Sequence, residues 1–311
     1  MYETVLLQIN LGHRRAASYD LQMKTGDFKK GFITLVQEPW IVGGRPKGLN
    51  SAHKFILANC GDEAPSRAMI YHHRNTPIAA HPAFTGRDVA AGLWDVGMPN
   101  LQQMMLVSLY WDGRQPTLPT KFIDCLKWCR SKKIPIHIGG DFNSHHTLWG
   151  GKKDTWRGNL ILKLMFDYDL VLINEGDVAT FNVAGKSSVI DLTMTSPECV
   201  ELISTWGVIV KDKKADGSSY NGSDHRTIET RYLTKPPEKL FRRSMKDVDW
   251  KKFRESLAGK MRNWEIPRTL DRNELDEHVS FFTKAVSETC IEFSKLLVVK
   301  PREQCSNSGH S

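Results

Sequence analysis

Short runs rich in β-branched and aromatic residues recur from the start of the chain to Tyr232, at residues 5–10, 32–37, 68–72, 104–110, 134–138, 189–194 and 228–232, each bounded by turn residues. Such residues fit a pleated, partly buried surface, so each run predicts a strand, and a chain with this many strands must pack sheets against something. Two stretches between them carry helical spacing instead: residues 120–130, where Phe122, Leu126 and Cys129 share a face, and residues 159–168. Strands dominate and helices are interspersed. With 311 residues the chain can bury a sizeable core, enough for one large domain and an appendage or for two small domains.

The texture changes at Lys235-Pro236-Pro237-Glu238, which reads as a linker. Beyond it Leu275, Val279, Phe282, Val286, Cys290, Phe293 and Leu297 recur at spacings of three and four, predicting one long amphipathic helix whose role is packing rather than chemistry. The expected organisation is a domain over residues 1–233, a linker over 234–240 and a mainly helical extension over 241–311, with a polar, frayed tail over 303–311.

Composition narrows the classes. No apolar run approaches the roughly 20 residues that span a bilayer, and the N-terminus lacks the basic stretch and long apolar core of a secretory signal, so an intracellular address, nuclear or cytoplasmic, is expected, with no membrane partner. The six cysteines are scattered through a chain too long to need stapling, which predicts free thiols. Cys125 and Cys129 share a helix face, yet no second pair stands at finger-like spacing, and this weighs against zinc. The net charge of +8 favours a polyanionic partner only mildly. Residues 231–311 hold 17 basic against 12 acidic side chains, so +5 of the excess lies there and +3 in the rest.

The chemistry-bearing residues stand at or within the strand runs. Ile136-His137-Ile138-Gly139-Gly140-Asp141-Phe142-Asn143 is an apolar strand entering glycines and then an Asp-x-Asn pair. Glycines at a strand end permit a tight turn that presents a carboxylate at the sheet's rim, and two residues on an extended segment at that spacing point the same way. Asp141 then suits holding a water and Asn143 donating to a phosphate oxygen; a plain turn would use the same residue types. Asp191 lies in the apolar run Val189-Ile190-Asp191-Leu192-Thr193, where a charge is costly unless paired, and His225 of Ser223-Asp224-His225 is the natural partner. Glu38 ends a strand that Pro39 stops, a placement suited to a hard cation, which takes one or two carboxylates and keeps several waters. Asn10 and Tyr110 end two further strand runs.

The order of Q-I-N, Q-E-P, S-L-Y, G-D-F-N, I-D-L and S-D-H resembles the endonuclease/exonuclease/phosphatase superfamily over roughly residues 1–232. The run from Asp141 to Gly150, then Arg157-Gly158, Leu172-Ile173-Asn174-Glu175-Gly176, Thr180-Phe181 and Ser188–Thr193, is similar to the N-terminal endonuclease of Jockey-like non-LTR retrotransposon polyproteins. Phe241-Arg242-Arg243 and Asp249-Trp250-Lys251-Lys252-Phe253 resemble the connector that leads to their polymerase. The resemblance implies an α+β fold: a four-layered α/β/β/α sandwich of two mixed β-sheets, here with a mainly helical C-terminal extension. It implies a DNA endonuclease that leaves a 5′-phosphate and a 3′-hydroxyl, and a Mg2+ cofactor for which Mn2+ can substitute.

By the same resemblance Glu38, assisted by Asn10 and Asp224, binds the metal; Asp141 activates water; Asn143 and Tyr110 hold phosphate; and Asp191 orients His225. His145 and Arg157 are weaker candidates for substrate binding, and Trp149 has no assigned task. Arg14, Arg15, Lys152 and Lys153 are candidate phosphate contacts, though any one of them is more simply a solvated charge. The expected partners are double-stranded DNA and, in a full polyprotein, element RNA and reverse transcriptase. No polymerase segment with its aspartate pair follows, so the sequence is expected to be a fragment, a degraded copy or a separately encoded endonuclease. Rival readings are an apurinic-site repair endonuclease, an inositol or sphingolipid phosphatase of the same fold, and a catalytically silent DNA-binding relic.

Overall fold

The alternation that predicts strands is realised in a computed structural model that describes residues 2–28, 31–60, 64–176, 178–183, 186–210, 222–234, 241–244, 248–262, 264–265 and 272–298. It forms two compact units, Met1–Pro236 and Pro237–Ser311. In chain order the first unit contains β1 (Tyr2–Asn10), α1 (Arg15–Gly26), β2 (Phe32–Gln37), β3 (Ile41–Val42), β4 (Arg45–Pro46), β5 (Lys54–Ile56), β6 (Ala68–His72), β7 (Ile78–Ala80), β8 (Val89–Met98) and β9 (Leu101–Tyr110). There follow α2 (Thr120–Lys132), β10 (Ile136–Asp141), α3 (Trp156–Asp167), β11 (Val171–Leu172), β12 (Phe181–Val183), β13 (Lys186–Ser188), β14 (Asp191–Thr195), α4 (Pro197–Val200), β15 (Ile203–Val208) and β16 (Ile228–Thr234).

One six-stranded sheet runs β15-β16-β1-β2-β6-β5 and the other β11-β14-β10-β9-β8-β7. Both are mixed, because each has a single parallel pair at its centre, β1 with β2 and β9 with β10, among antiparallel neighbours. A parallel pair needs a crossover, and α1 and α2 supply it. Period-two alternation then sorts the side chains into layers. Val5, Leu7 and Ile9 pack with Ala17 and Leu21 of α1, whereas Leu6 faces Ile33, Leu35, Trp94, Met104 and Leu106 between the sheets. Val107, Leu109, Ile138 and Leu192 pack outward on Phe122, Cys125 and Leu126 of α2 and Ile161 and Leu164 of α3. The result is the expected α/β/β/α sandwich, and Cys125 and Cys129 are buried among its apolar contacts. Among the described residues the cysteines are free thiols, and no helix is long and apolar enough to cross a membrane.

Several sequence expectations shift. Helix α1 leaves no periodic signal in the sequence because its buried positions are Ala17, Ser18, Leu21 and Thr25, too small and polar to write an apolar stripe. Asp191 does not interrupt a strand but begins β14, since that strand runs antiparallel to β10 and meets the same rim with its N-terminal end.

The second unit has β17 (Phe241–Ser244), α5 (Trp250–Lys260), α6 (Arg272–Phe293) and β18 (Lys295–Val298). Asp249 caps α5, its carboxylate accepting from the backbone N–H of Lys251 and Lys252. The long amphipathic helix ends at Phe293, and Leu297 lies in β18, opposite Arg242 of β17. The expected linker at Lys235–Glu238 and the tail beyond residue 300, with Cys305, fall outside the described residues.

Candidate active site

Two rims meet at the site. In one sheet Asp141 pairs with Tyr110 across the parallel ladder and with Asp191 across the antiparallel one, so three neighbouring strands present three polar side chains side by side. In the other, Asn10 and Glu38 stand at the carboxyl ends of the parallel pair, the end at which open α/β sheets usually hold ligands. The Asn10 amide joins the rims: Nδ2 donates to Asp141 Oδ2 at 3.0 Å and to Glu38 Oε2 at 3.1 Å. Gly12 N–H donates to Asn10 Oδ1 at 2.8 Å and thereby settles which end of the amide is which.

So close an approach needs the two glycines before Asp141. A Cβ at Gly139 would sit 2.6 Å from Gln8 Oε1 of the opposing sheet, and one at Gly140 would overlap the Leu109 carbonyl. In the space they leave, Gln8 donates to Gly140 O at 3.2 Å, and Gln37 donates to Ser108 Oγ at 2.9 Å and Gly139 O at 3.2 Å. This polar seam fixes the register of one sheet on the other directly beneath the carboxylates.

His225 Nδ1 lies 2.9 and 3.1 Å from the two Asp191 oxygens, and Nε2 lies 3.9 Å from Asp141 Oδ2. Burial lowers the imidazole's affinity for a proton, but the adjacent carboxylates outweigh it and push the His225 pKa up to about 9. Asp141 is raised too, but with burial as the cause. Burial first, and the Asp191 charge second, raise its carboxyl above the ordinary range despite the help of His225 and of the Asn143 N–H, which donates to Oδ1 at 2.9 Å. An acid held near neutrality beside a base held cationic is the usual signature of assigned proton-transfer roles.

Glu38 sits on the other side of Asn10 with a backbone φ of 46°, a left-handed conformation that costs a non-glycine residue about 1 kcal/mol or more. Backbone bonds hold it there, from Glu38 N–H to Arg67 O and from His13 N–H to Glu38 O, both 2.8 Å. Burial raises its carboxyl, but bonds from His13 and Asn10 prevail and leave it below the usual glutamate value, ionised. His13 is raised chiefly by the same bond. The Tyr110 phenol is pushed far up by burial and by the charges of Glu38 and Asp141, so it remains a donor. Arg67, 4.8 Å over the Tyr110 ring and paired with Asp88 and Asp112, braces it from behind.

Other expected site residues stand differently. Both oxygens of Asp224 take the Arg14 guanidinium. Asn143 does not share an extended segment with Asp141, for its φ is 46° and its amide donates to Trp111 O at 3.1 Å. Arg157 is buried, its guanidinium 3.3 Å from the Trp111 ring centroid, donating to the carbonyls of Trp111, Asp112, Gln115, Phe142 and Asn143. It anchors the loop that follows Asp141 and has no free edge for a substrate. His145 offers its carbonyl to Thr155, and its half-buried side chain makes no hydrogen bond among the described residues. Trp149 is buried and donates to Ser144 O. Arg15 stacks on the Tyr19 and Trp40 rings, while Lys152 and Lys153 are exposed. Sequence reasoning missed His13 and Arg67; only the neighbouring Gly12, needed for the tight turn after β1, hinted at the former.

Asp141, Asp191 and His225 bring donor atoms within 4.8 Å of one another, a spacing a cation could bridge. Yet an imidazolium that donates to Asp191 has no lone pair to give, so the triad serves proton handling better than ligation. The ionised Glu38, oriented by Asn10 and the more accessible of the carboxylates near Asp141, fits a hard divalent ion that keeps most of its waters.

Residues 104–229 match the family described as "Endonuclease-reverse transcriptase". No curated protein matches the sequence. Among solved structures, the endonuclease domain of TRAS1, a telomere-specific non-LTR retrotransposon, superposes with a TM-score of 0.62 at 23% identity, over 75% of this chain and 99% of that one. The AP endonuclease LMAP of Leishmania major gives 0.56 at 12% identity over 75% and 88%. An AP endonuclease from Archaeoglobus fulgidus gives 0.50 at 10% over 74% and 99%. At these identities the likeness is one of fold.

Proposed function

The chain has the endonuclease/exonuclease/phosphatase fold, with residues 104–229 matching its endonuclease–reverse transcriptase family, and from that premise we propose that it is a magnesium-dependent DNA endonuclease of the non-LTR retrotransposon type. It nicks a phosphodiester of double-stranded DNA to leave a 5′-phosphate and a 3′-hydroxyl, at an intracellular address and, within a polyprotein, beside reverse transcriptase and element RNA. The observation that carries this reading is the Asn10 amide shared between Glu38 and Asp141, with His225 3.9 Å from the latter. One residue thus ties a cation ligand to a general base.

Each side chain then has a task that in-line displacement at phosphorus requires. Asp141, its proton affinity raised, takes the proton of the attacking water as the new bond to phosphorus forms and the bond to the 3′-oxygen breaks, the leaving oxygen drawing its proton from solvent; general bases work best when their pKa lies near the operating pH. His225, kept protonated by Asp191, donates to the phosphoryl oxygens as negative charge grows there. Tyr110 donates from the adjacent strand end. Glu38 would hold a divalent ion, which would supply Lewis-acid neutralisation of the charge that develops on the phosphoryl group. Asn143 fixes Asp141 through its backbone N–H, and Asp224 holds Arg14 beside the site.

Asp191→Asn should remove the main source of the raised His225 pKa, so the alkaline limb of the pH–nicking profile moves to lower pH by about one unit or more, the scale of the shift that a nearby charge produces. An unchanged limb would take His225 out of the chemistry. The same proton stabilises the fold: that contribution is complete below the unfolded value of about 6.5 and is lost as pH rises through about 9. DNA affinity should fall steeply with salt if Arg14, Arg15, Lys152 and Lys153 contact phosphates, and a flat response in a filter-binding titration removes them from the interface. Nicking of intact supercoiled plasmid, compared with incision of an abasic duplex and with phosphate release from a phosphoinositide, separates this function from its rivals.

A further inference from the structure

We propose that His13 Nε2 is a nitrogen ligand to the divalent cation held by Glu38, so that the site favours first-row transition ions such as Mn2+ over Mg2+. The inference rests on the reading that Glu38 holds a cation, and the ring's surroundings carry it further. His13 Nδ1 lies 3.0 Å from the Pro39 carbonyl oxygen, which can only accept, so Nδ1 bears the proton and the tautomer is fixed. A histidine that gives its second ring N–H to a backbone carbonyl is the usual outer support of a metal-bound imidazole. Nε2 then faces Glu38 Oε1 at 3.4 Å. Without an ion a proton on Nε2 bridges the two atoms, and a cation bound there takes that proton's place, with Nε2 and Oε1 already turned toward one point.

Two donors bound to one octahedral ion at about 2.1 Å each stand about 3 Å apart on a shared edge, close to the separation found. The backbone is built for the approach. His13 has φ 55°, uncommon for a residue with a Cβ, follows Gly12 at φ 55°, and is clamped to the strand end by its own N–H on Glu38 O. Asn10, by contrast, has both ends of its amide committed and acts by positioning Glu38. Nitrogen donors suit first-row transition ions better than Mg2+, which prefers oxygen.

The full chain loaded with Mn2+ tests this by electron spin-echo modulation, which reads nitrogen bonded to the ion. Modulation from 14N is expected in the wild type and in His225→Ala, and its loss in His13→Ala. By calorimetry His13→Ala should weaken Mn2+ binding by about tenfold or more, with Mg2+ changed far less, while His13→Gln, which offers oxygen, narrows the difference between the two ions. Melting curves establish that the variants fold, as expected for a side chain 43% exposed. No 14N modulation, modulation lost in His225→Ala instead, unaltered Mn2+ affinity in His13→Ala, or no Mn2+ binding by the wild type overturns the assignment. These readouts are independent of cleavage, so a chain that binds Mn2+ through His13 and nicks nothing refutes the nuclease and keeps the ligand.

Discussion

Asp141→Asn is expected to lower plasmid nicking at least about a hundredfold, the scale of a general acid–base group, without lowering the melting temperature at pH 8. The two halves of that result have one cause. Asp141 is buried, and it faces Asp191 across the antiparallel ladder, so its charge is costly to the folded state. A carboxyl whose folded pKa is raised penalises the fold as pH climbs above the unfolded value of about 3.9, and the penalty is complete once the folded group has ionised. Asparagine removes the charge, keeps the volume and still accepts from the Asn143 N–H. Activity and stability should therefore move in opposite senses, as they do where a site stores unfavourable electrostatics. A variant that nicks normally, or one that melts several degrees earlier, would show that Asp141 is a structural carboxylate.

Arg157→Ala carries the largest expected cost to stability, about 3 kcal/mol or more, because a buried guanidinium gives up five hydrogen bonds and leaves the carbonyls of Gln115, Phe142 and Asn143 to find other donors, while Trp111 O keeps the Asn143 amide and Asp112 O keeps the Gln115 N–H. For a unit of this size that is a fall in melting temperature of roughly 6–12 °C. Arg157→Lys has three N–H donors and no planar fork, so it should fall between. The surface-contact reading predicts a different pattern: a normal melting curve, weaker DNA binding and a shallower salt slope. Differential scanning calorimetry beside a salt titration separates the two.

The difference between those readings shows where one-dimensional reasoning stops. Strand ends were readable, since apolar runs that stop at glycine or proline announce a rim, and Asn10, Glu38, Tyr110, Asp141 and Asp191 all stand there. The Asp191–His225 pair was readable as well, because a carboxylate in an apolar setting demands a partner. Partner choice among surface charges was not. Asp224 sits beside His225 in sequence, yet Arg14, 210 residues away in the chain, takes its carboxylate. Arg157 has the composition of a surface residue, and only the folded loop surrounds it with carbonyls. His13 and α1 were silent for a shared reason: a tight turn and a helix face of small residues depend on the sheet beneath them, which a periodicity search does not see.

Conversion of supercoiled plasmid to nicked circles by the purified full chain, with Mg2+ or Mn2+ present and again after chelation, measures the proposed chemistry most directly. Wild type should nick only with the cation and leave circles that DNA ligase reseals without end repair, while Glu38→Gln and Asp141→Asn leave the plasmid supercoiled. Equal nicking by wild type and both variants, or none by a well-folded wild type with either ion, would contradict a hydrolytic site built on Glu38, Asp141 and His225.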